Sequence, residues 1–239
     1  MKALLLAGGR GKRLDDLSAV RNKSMTIING RPAIEYNLQY AINAGVEEIV
    51  IVVGYRAEDI INYLGNRYHD VAIRYVIQKE QKGLVHAIEC ARETIGQNDF
   101  MLMLADEIMK NPHHKEMISE YKRSGAFALC GILTVENRNL IKKTYTLIQD
   151  SEGRIFRLIE KPRNPLNQFM GTGDCVFNNK IFDYIEYTPI HHERNEKELP
   201  DLIQCAIDDG MDVRSFLICD KYVNINTKED IQMAEEFMK

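Results

Sequence analysis

Residues 3–14 read ALLLAGGRGKRL. Five apolar residues run straight into Gly8 and Gly9, and Gly11, Lys12 and Arg13 follow at once. A run without polar alternation suits a strand covered on both faces, as in a parallel sheet between helical layers. The glycines after it read as a strand-to-helix turn. Glycine permits positive φ and lets a ligand approach the backbone closely. Successive amides in such a turn form an anion-binding concavity, and the neighbouring bases supply compensating charge. A plain glycine turn with exposed bases is the simpler alternative for the loop taken alone. Neither G-x-x-x-x-G-K-[ST] nor G-x-G-x-x-G is present, so it is not a Walker loop or a dinucleotide fingerprint.

Further runs of the same kind follow at 48–54 (EIVIVVG), 73–78 (IRYVIQ), 100–106 (FMLMLAD), 126–133 (AFALCGIL) and 145–150 (YTLIQD). Helical patterns lie between them at 31–45, 57–68 and 83–96, the first placing Ile34, Leu38, Ala41 and Ile42 on one stripe and stopping at Gly45. Strand and helix alternate through the first 133 residues, which predicts βαβ units and a doubly wound, mostly parallel α/β sheet. In such sheets ligands bind beyond the carboxyl ends of the strands. Residues 134–239 read as a smaller mixed α+β subregion, with a hairpin at SEGRIFRLIEKP and a closing helix at KEDIQMAEEFM. A single domain, 1–239, is expected, divided into a nucleotide-binding core (1–133) and an acceptor-side, closing subregion (134–239).

The chain of 239 residues is 45% hydrophobic and 28% charged, with a formal net charge of −4. That balance disfavours a sequence-independent nucleic-acid binder, which usually carries a basic excess. The five cysteines are scattered, with no C-x-x-C pair, which argues against a disulfide framework or a zinc site and fits a reducing cytoplasm. No window approaches the roughly eighteen apolar residues of a membrane span. The expectation is a cytoplasmic protein that binds small molecules, neither nucleic acid nor membrane, with a homo-oligomer left open. The adjacent pairs His113–His114 and His191–His192 read as surface, and His86 as helix packing or part of a nucleotide shell.

LAGGRGKRL, with NKSM downstream, resembles the signature L-A-G-G-x-G-T-R-L of the sugar nucleotidyltransferases. Other landmarks follow in order: INGRPAIEY for the K-P-M-I-x-Y helix, QKEQKGLVHAI for the base-reading segment, LADE for L-G-D-N, IEKP for E-K-P, and GTGDCVFN for T-G-x-Y-x-F. The nearest likeness is to short-form glucose-1-phosphate thymidylyltransferases. The resemblance implies a Rossmann-like nucleotidyltransferase fold and the transfer of a nucleoside monophosphate from dTTP or UTP to glucose 1-phosphate, with release of pyrophosphate. It implies that Arg13 grips the triphosphate and Lys23 reaches the α-phosphate. Leu6, Ala7, Gly8, Gly9, Gly11 and Lys12 would line the nucleotide, and Gln78 and Gly83 would contact the base. Tyr145, Glu160, Lys161, Thr172 and Gly173 fall at acceptor positions. Asp106 ends an apolar strand, where an acid needs a cation or a metal partner. Mg²⁺ suits its hard oxygen, and Asn224 stands at the second metal position. Arg13, Lys23 and Asp106 are the expected catalytic residues.

Four places depart from the family pattern, five residues in all. Lys12 replaces Thr, Asn224 in YVNINT replaces an Asp, Tyr145 stands where a Gly leaves room for the hexose, and LADE replaces L-G-D-N. Ala105 thereby crowds a site where Gly lets a sugar approach. Glu107, in place of Asn, is expected either to add charge to the metal site or to face water. These changes leave two alternatives open. One is a cytidylyltransferase for a non-hexose phosphorylated alcohol or a phosphocholine-like acceptor. The other is a catalytically weak nucleotide-binding sensor domain.

Overall fold

The computed structural model describes residues 1–9 and 22–239. Its strands are β1 (Lys2–Ala7), β2 (Ile27–Ile28), β3 (Arg31–Pro32), β4 (Glu48–Val53), β5 (Arg67–Tyr68), β6 (Val71–Ile77), β7 (Phe100–Leu104) and β8 (Glu107–Lys110). They continue with β9 (Ala128–Thr134), β10 (Tyr145–Gln149), β11 (Ile155–Glu160), β12 (Phe169–Phe177), β13 (Ile190–His191), β14 (Glu196–Lys197), β15 (Val213–Leu217) and β16 (Lys221–Asn224). The helices are α1 (Ala33–Asn43), α2 (Ala57–Leu64), α3 (Leu84–Cys90), α4 (Arg92–Ile95), α5 (His114–Ser124), α6 (Leu199–Asp208) and α7 (Lys228–Phe237).

Eight strands form the central sheet, in the order β15-β9-β12-β7-β1-β4-β6-β5. Only β12 and β5 run against the others. The apolar runs are buried on both faces because alternate side chains enter opposite cores. From β1, Ala3 and Leu5 join a core with Ile34, Leu38 and Ala41 of α1. Leu4 joins the other core, with Val85 and Ile88 of α3. In β4, Ile49 and Ile51 go one way, Val50 and Val52 the other. Burying each such side chain contributes about 1.5–3 kcal/mol, so neither face tolerates a register slip.

From β1 the chain moves outward through β4 to β6, then returns to place β7 on the other side of β1. This reversal opens a crevice at the carboxyl ends of β1 and β7, where open α/β sheets bind ligands. The doubly wound, mostly parallel α/β sheet expected from the sequence is the one formed.

Several boundaries differ from the sequence expectations. The helix expected over 57–68 stops at Leu64, because Gly65 takes φ +64° and Arg67–Tyr68 pairs antiparallel with β6 at the sheet edge. The helix expected over 83–96 divides at Ala91. The strand expected over 100–106 ends at Leu104, leaving Asp106 in the turn before β8. Strands β12 and β15, from beyond residue 133, enter the same sheet as β1, so the two proposed subregions share one core. Strand β8 pairs with β16 from near the end of the chain. Helix α1 holds β8 in place through polar bonds: Asn37 Nδ2 donates to the Glu107 carbonyl at 3.0 Å and Tyr40 Oη to that of Met109 at 2.9 Å.

Candidate functional site

A cavity of about 420 Å³ opens at the carboxyl ends of β1 and β7, within the range of small-molecule sites. Leu6, Ala7, Gly8 and Gly9 form one wall, Leu104 and Asp106 another, and Lys23, Gln78 and Gly83 close the ends. Gly11, Lys12 and Arg13 lie outside the described residues. Two loops meet tightly here: a Cβ on Gly54 would lie 2.9 Å from the Gly8 carbonyl oxygen, and one on Gly8 would lie 2.9 Å from Gln78 Oε1. At Gly54 the neighbour is backbone, so only glycine allows that approach.

Lys23 is placed by the residue before it. Asn22 is buried, and its Nδ2 donates to the carbonyls of Ala7 at 3.0 Å and Tyr55 at 2.7 Å. Its Oδ1 accepts the Ser24 amide at 2.9 Å and so caps the short 3₁₀ turn Lys23–Met25. The turn is thereby fastened to the end of β1. From it the Lys23 ammonium reaches across the cavity and pairs with Asp106 Oδ2. It also donates to Asn224 Oδ1 at 3.1 Å and Asn226 Oδ1 at 3.0 Å. Asp106 is held in turn, because its carbonyl accepts the Ile225 amide at 2.9 Å. Asp106, Asn224 and Lys23, distant in sequence, thus converge at one point.

Among the described residues no group of three or more His, Cys, Asp or Glu side chains could hold a metal. The oxygens around the ammonium are one carboxylate and two amides. Such hard donors fit Mg²⁺, and the ammonium already marks their centre as a cation position.

At the other end of the cavity, Gln78 is buried and donates Nε2 to the Gly83 carbonyl at 3.1 Å. The same nitrogen lies 3.0 Å from His86 Nδ1. His86 therefore belongs to the shell that orients Gln78. Gly83 takes φ +92°, and a Cβ there would lie 2.8 Å from Glu196 Oε2. Gln81 donates Nε2 to the Gly8 carbonyl at 3.0 Å.

The five acceptor-side residues do not line this cavity. Tyr145 is buried with its ring over Gly171, where a Cβ would lie 2.0 Å from Cζ, and its hydroxyl has no partner. Thr172 is buried and donates to the Gly131 carbonyl at 3.0 Å. The Gly173 amide donates to both oxygens of Glu107, at 3.0 and 3.1 Å. Glu160 and Lys161 stand apart at the end of β11, 2.8 Å from each other, with Arg194 3.6 Å from Glu160. Burial raises the Glu160 carboxyl above its ordinary range, against the pull of Lys161.

Two expectations are corrected. Glu107 neither faces water nor reaches the metal position: it is buried, bound by Gly173 and by the Tyr222 hydroxyl at 2.6 Å. Burial, with Asp174 close by, pushes its carboxyl well above the usual range. His114 is not at the surface: it is buried, 2.6 Å from Asp174 Oδ2, and stacked on Tyr40. Adjacency in sequence was a poor guide, because the first turn of α5 buries one histidine and leaves its neighbour partly exposed. Sequence reasoning also passed over Asn22, Asn226, Arg194 and Glu196. Asn22 carried a legible signal, an Asx residue before a turn; Asn226 lay two positions beyond a residue already singled out.

Known proteins extend this picture. A family profile described as nucleotidyl transferase matches residues 2–236. The low-salt glycan biosynthesis nucleotidyltransferase Agl11 of Haloferax volcanii is 31% identical over 100% of this chain and 66% of that protein. The UTP–glucose-1-phosphate uridylyltransferase AglF of the same organism is 31% identical over 99% of this chain and 96% of its own length. A glucose-1-phosphate thymidylyltransferase of Streptomyces griseus is 28% identical over 91% of this chain and 60% of its own length. In fold, UDP-glucose pyrophosphorylase complexed with UDP-glucose superposes with a TM-score of 0.87 at 24% identity, over 98% of this chain and 97% of that one. With a sheet, a switch-point cavity and a matched profile that agree along its length, the chain belongs to the nucleotidyl transferase family.

Proposed function

We propose that this chain transfers a nucleoside monophosphate from UTP or dTTP to a sugar 1-phosphate, with glucose 1-phosphate the default acceptor, and releases pyrophosphate. One observation carries the reading: a single cavity at the β1/β7 switch point has Lys23 and Asp106 at one end and the Gln78–Gly83 pair at the other. We read its Lys23–Asp106 side as the phosphate end and its Gln78–Gly83 side as the base end. The names of the uridylyl- and thymidylyltransferase relatives support the choice of base and acceptor.

In the reaction an acceptor phosphate oxygen bonds to the α-phosphorus, and the bridging oxygen leaves with pyrophosphate and the electron pair. Positioning and charge stabilisation carry the rate of such a step. Lys23, fixed through Asn22, is the group that neutralises the developing charge. The amides of Gly8 and Gly9, with Gly11, Lys12 and Arg13, are assigned to the triphosphate. Gln78 and Gly83 are assigned to the base, and Glu160 and Lys161 to the acceptor, with Arg194 beside them. Asp106 and Asn224 are assigned to Mg²⁺, which supplies Lewis-acid neutralisation of the phosphates when bound. A cytoplasmic setting accords with the five free cysteines.

A second reading has a specific observation in its favour. Tyr145 occupies the space over Gly171, and Glu107 takes the Gly173 amide. An acceptor smaller than a hexose, with CTP as donor, fits that filled side. Pyrophosphate release with Mg²⁺, each common triphosphate and a panel of phosphorylated acceptors tests both. Release with UTP or dTTP and glucose 1-phosphate is the expected result. Release only with CTP and a non-sugar acceptor selects the second reading, and no release with any pair overturns both.

A further inference from the structure

We propose that Asn226 is a third protein oxygen at the cation site, and that the Lys23 ammonium and a divalent cation compete for one cradle made by Asp106, Asn224 and Asn226. The inference rests on the nucleotidyltransferase reading above but is tested without turnover.

The orientation of both amides follows from their partners. Asn224 Oδ1 faces two donors, Lys23 Nζ at 3.1 Å and Asn226 Nδ2 at 2.8 Å, so the atom there must be oxygen. Asn226 Nδ2 also faces the Asn224 carbonyl at 3.1 Å, an acceptor, so the other atom of that amide is oxygen. That oxygen lies 3.0 Å from Lys23 Nζ. Three oxygens therefore point at one ammonium. Asn226 is held for this role by its own backbone: its amide donates to Asp230 Oδ2 at 2.8 Å, in the first turn of α7.

Charge decides what the cradle can hold. Two of its three oxygens are neutral, so a single carboxylate balances Lys23 and nothing is left for a dication. A divalent ion entering beside the ammonium meets a like charge at close range, which disfavours it. The ammonium leaves when it gains another anion, and a triphosphate is such a partner. Cation and nucleotide then enter together, and the free protein holds the ion poorly.

The probe is Mn²⁺, followed by loss of its free-ion paramagnetic resonance signal, with the intact protein and no nucleotide. Wild type is expected to bind weakly. Lys23→Met removes the competitor and is expected to bind Mn²⁺ at least about tenfold more tightly, the scale on which changes around a metal site act. Adding Asn226→Ala to Lys23→Met is expected to reverse that gain by a similar factor. Equal affinity of wild type and Lys23→Met overturns the competition, and equal affinity with and without Asn226→Ala overturns the third ligand. Lys23→Gln repeats the measurement if Lys23→Met does not fold, as judged by circular dichroism. Pyrophosphate release by wild type reports separately on the nucleotidyltransferase reading, so either can fail alone.

Discussion

Gln78 donates its side-chain amide to the carbonyl of Gly83, five residues on, at 3.1 Å. The bond closes the segment between them into a loop whose ends are fixed, and it commits the Gln78 nitrogen to the protein. Gly83 adopts φ +92°, and an added Cβ would meet Glu196 Oε2 at 2.8 Å. Gly83→Ala is therefore strained in its backbone and crowded by Glu196. The expected outcome is a KM for the triphosphate raised about tenfold, with a smaller change in kcat, because the segment is assigned to base binding rather than to transfer. Steady-state kinetics check this, and an unchanged KM with a collapsed kcat would contradict the assignment.

Asn22 makes a prediction about position rather than contact. Its side chain ties the turn that carries Lys23 to the Ala7 and Tyr55 carbonyls. Asn22→Ala takes that partner from the buried Ala7 carbonyl and Ser24 amide, at about 1–3 kcal/mol for each group left unsatisfied. A lower melting temperature is expected, together with a kcat reduced more than triphosphate affinity. Asn22→Asp keeps the acceptor for Ser24 but replaces the donor with an oxygen facing two carbonyls, so it is expected to rescue neither.

The central sheet was legible because apolar runs such as ALLLA and EIVIVV have no other soluble use than burial on both faces. Lys23 and Asp106 were legible because each sits in a motif at a strand or turn boundary. Their meeting was not, since 83 residues separate them and only the β1/β7 adjacency brings them together. Glu107 shows the opposite limit. Next to Asp106 it read as part of the same polar edge, but Asp106 sits in the turn before β8, whereas Glu107 is the first residue of β8 and turns into the protein to meet Gly173 and Tyr222. The acceptor side was least legible. Tyr145 was singled out as a residue filling the acceptor side, and that its ring covers Gly171 depends on how β10 lies against β12.

Tyr145 carries a buried hydroxyl without a hydrogen-bond partner. Burying an unsatisfied hydroxyl costs about 1–3 kcal/mol. Tyr145→Phe removes that group and keeps the ring over Gly171, so it is expected to raise the melting temperature while leaving acceptor preference unchanged. Tyr145→Gly, in contrast, opens the space above Gly171. It is expected to destabilise the fold by about 3–5 kcal/mol and to improve use of a hexose 1-phosphate relative to smaller acceptors. Thermal unfolding of both variants, with an acceptor panel, distinguishes the two effects.

Glu160 gives a pH dependence with a definite sign. Burial raises its carboxyl above the ordinary value of 4.5, and Lys161 opposes the shift without cancelling it. A carboxyl raised in the native state binds protons more tightly there than in the unfolded chain. Its contribution to stability is therefore full below the ordinary range and is lost as pH rises from there through the raised native value. Glu160→Gln removes this slope. Melting temperatures measured across that interval are expected to fall less steeply with pH in the variant than in wild type, and parallel curves would show that Glu160 is not the source.

Lys23 separates binding from transfer. Its ammonium is held among Asp106, Asn224 and Asn226 in the free protein, so whatever it gains from a bound triphosphate is offset by the partners it gives up. Its value lies in the charge that develops on the phosphorus and the departing oxygen, where a preplaced cation is worth several kcal/mol. Lys23→Ala is expected to lower kcat by about 10²–10³ and to change triphosphate affinity much less. Affinity is measured by calorimetry with a non-hydrolysable analogue and kcat by pyrophosphate release. Equal losses in the two would make Lys23 a ground-state binder and move the task of stabilising transfer to other cations at the phosphate end.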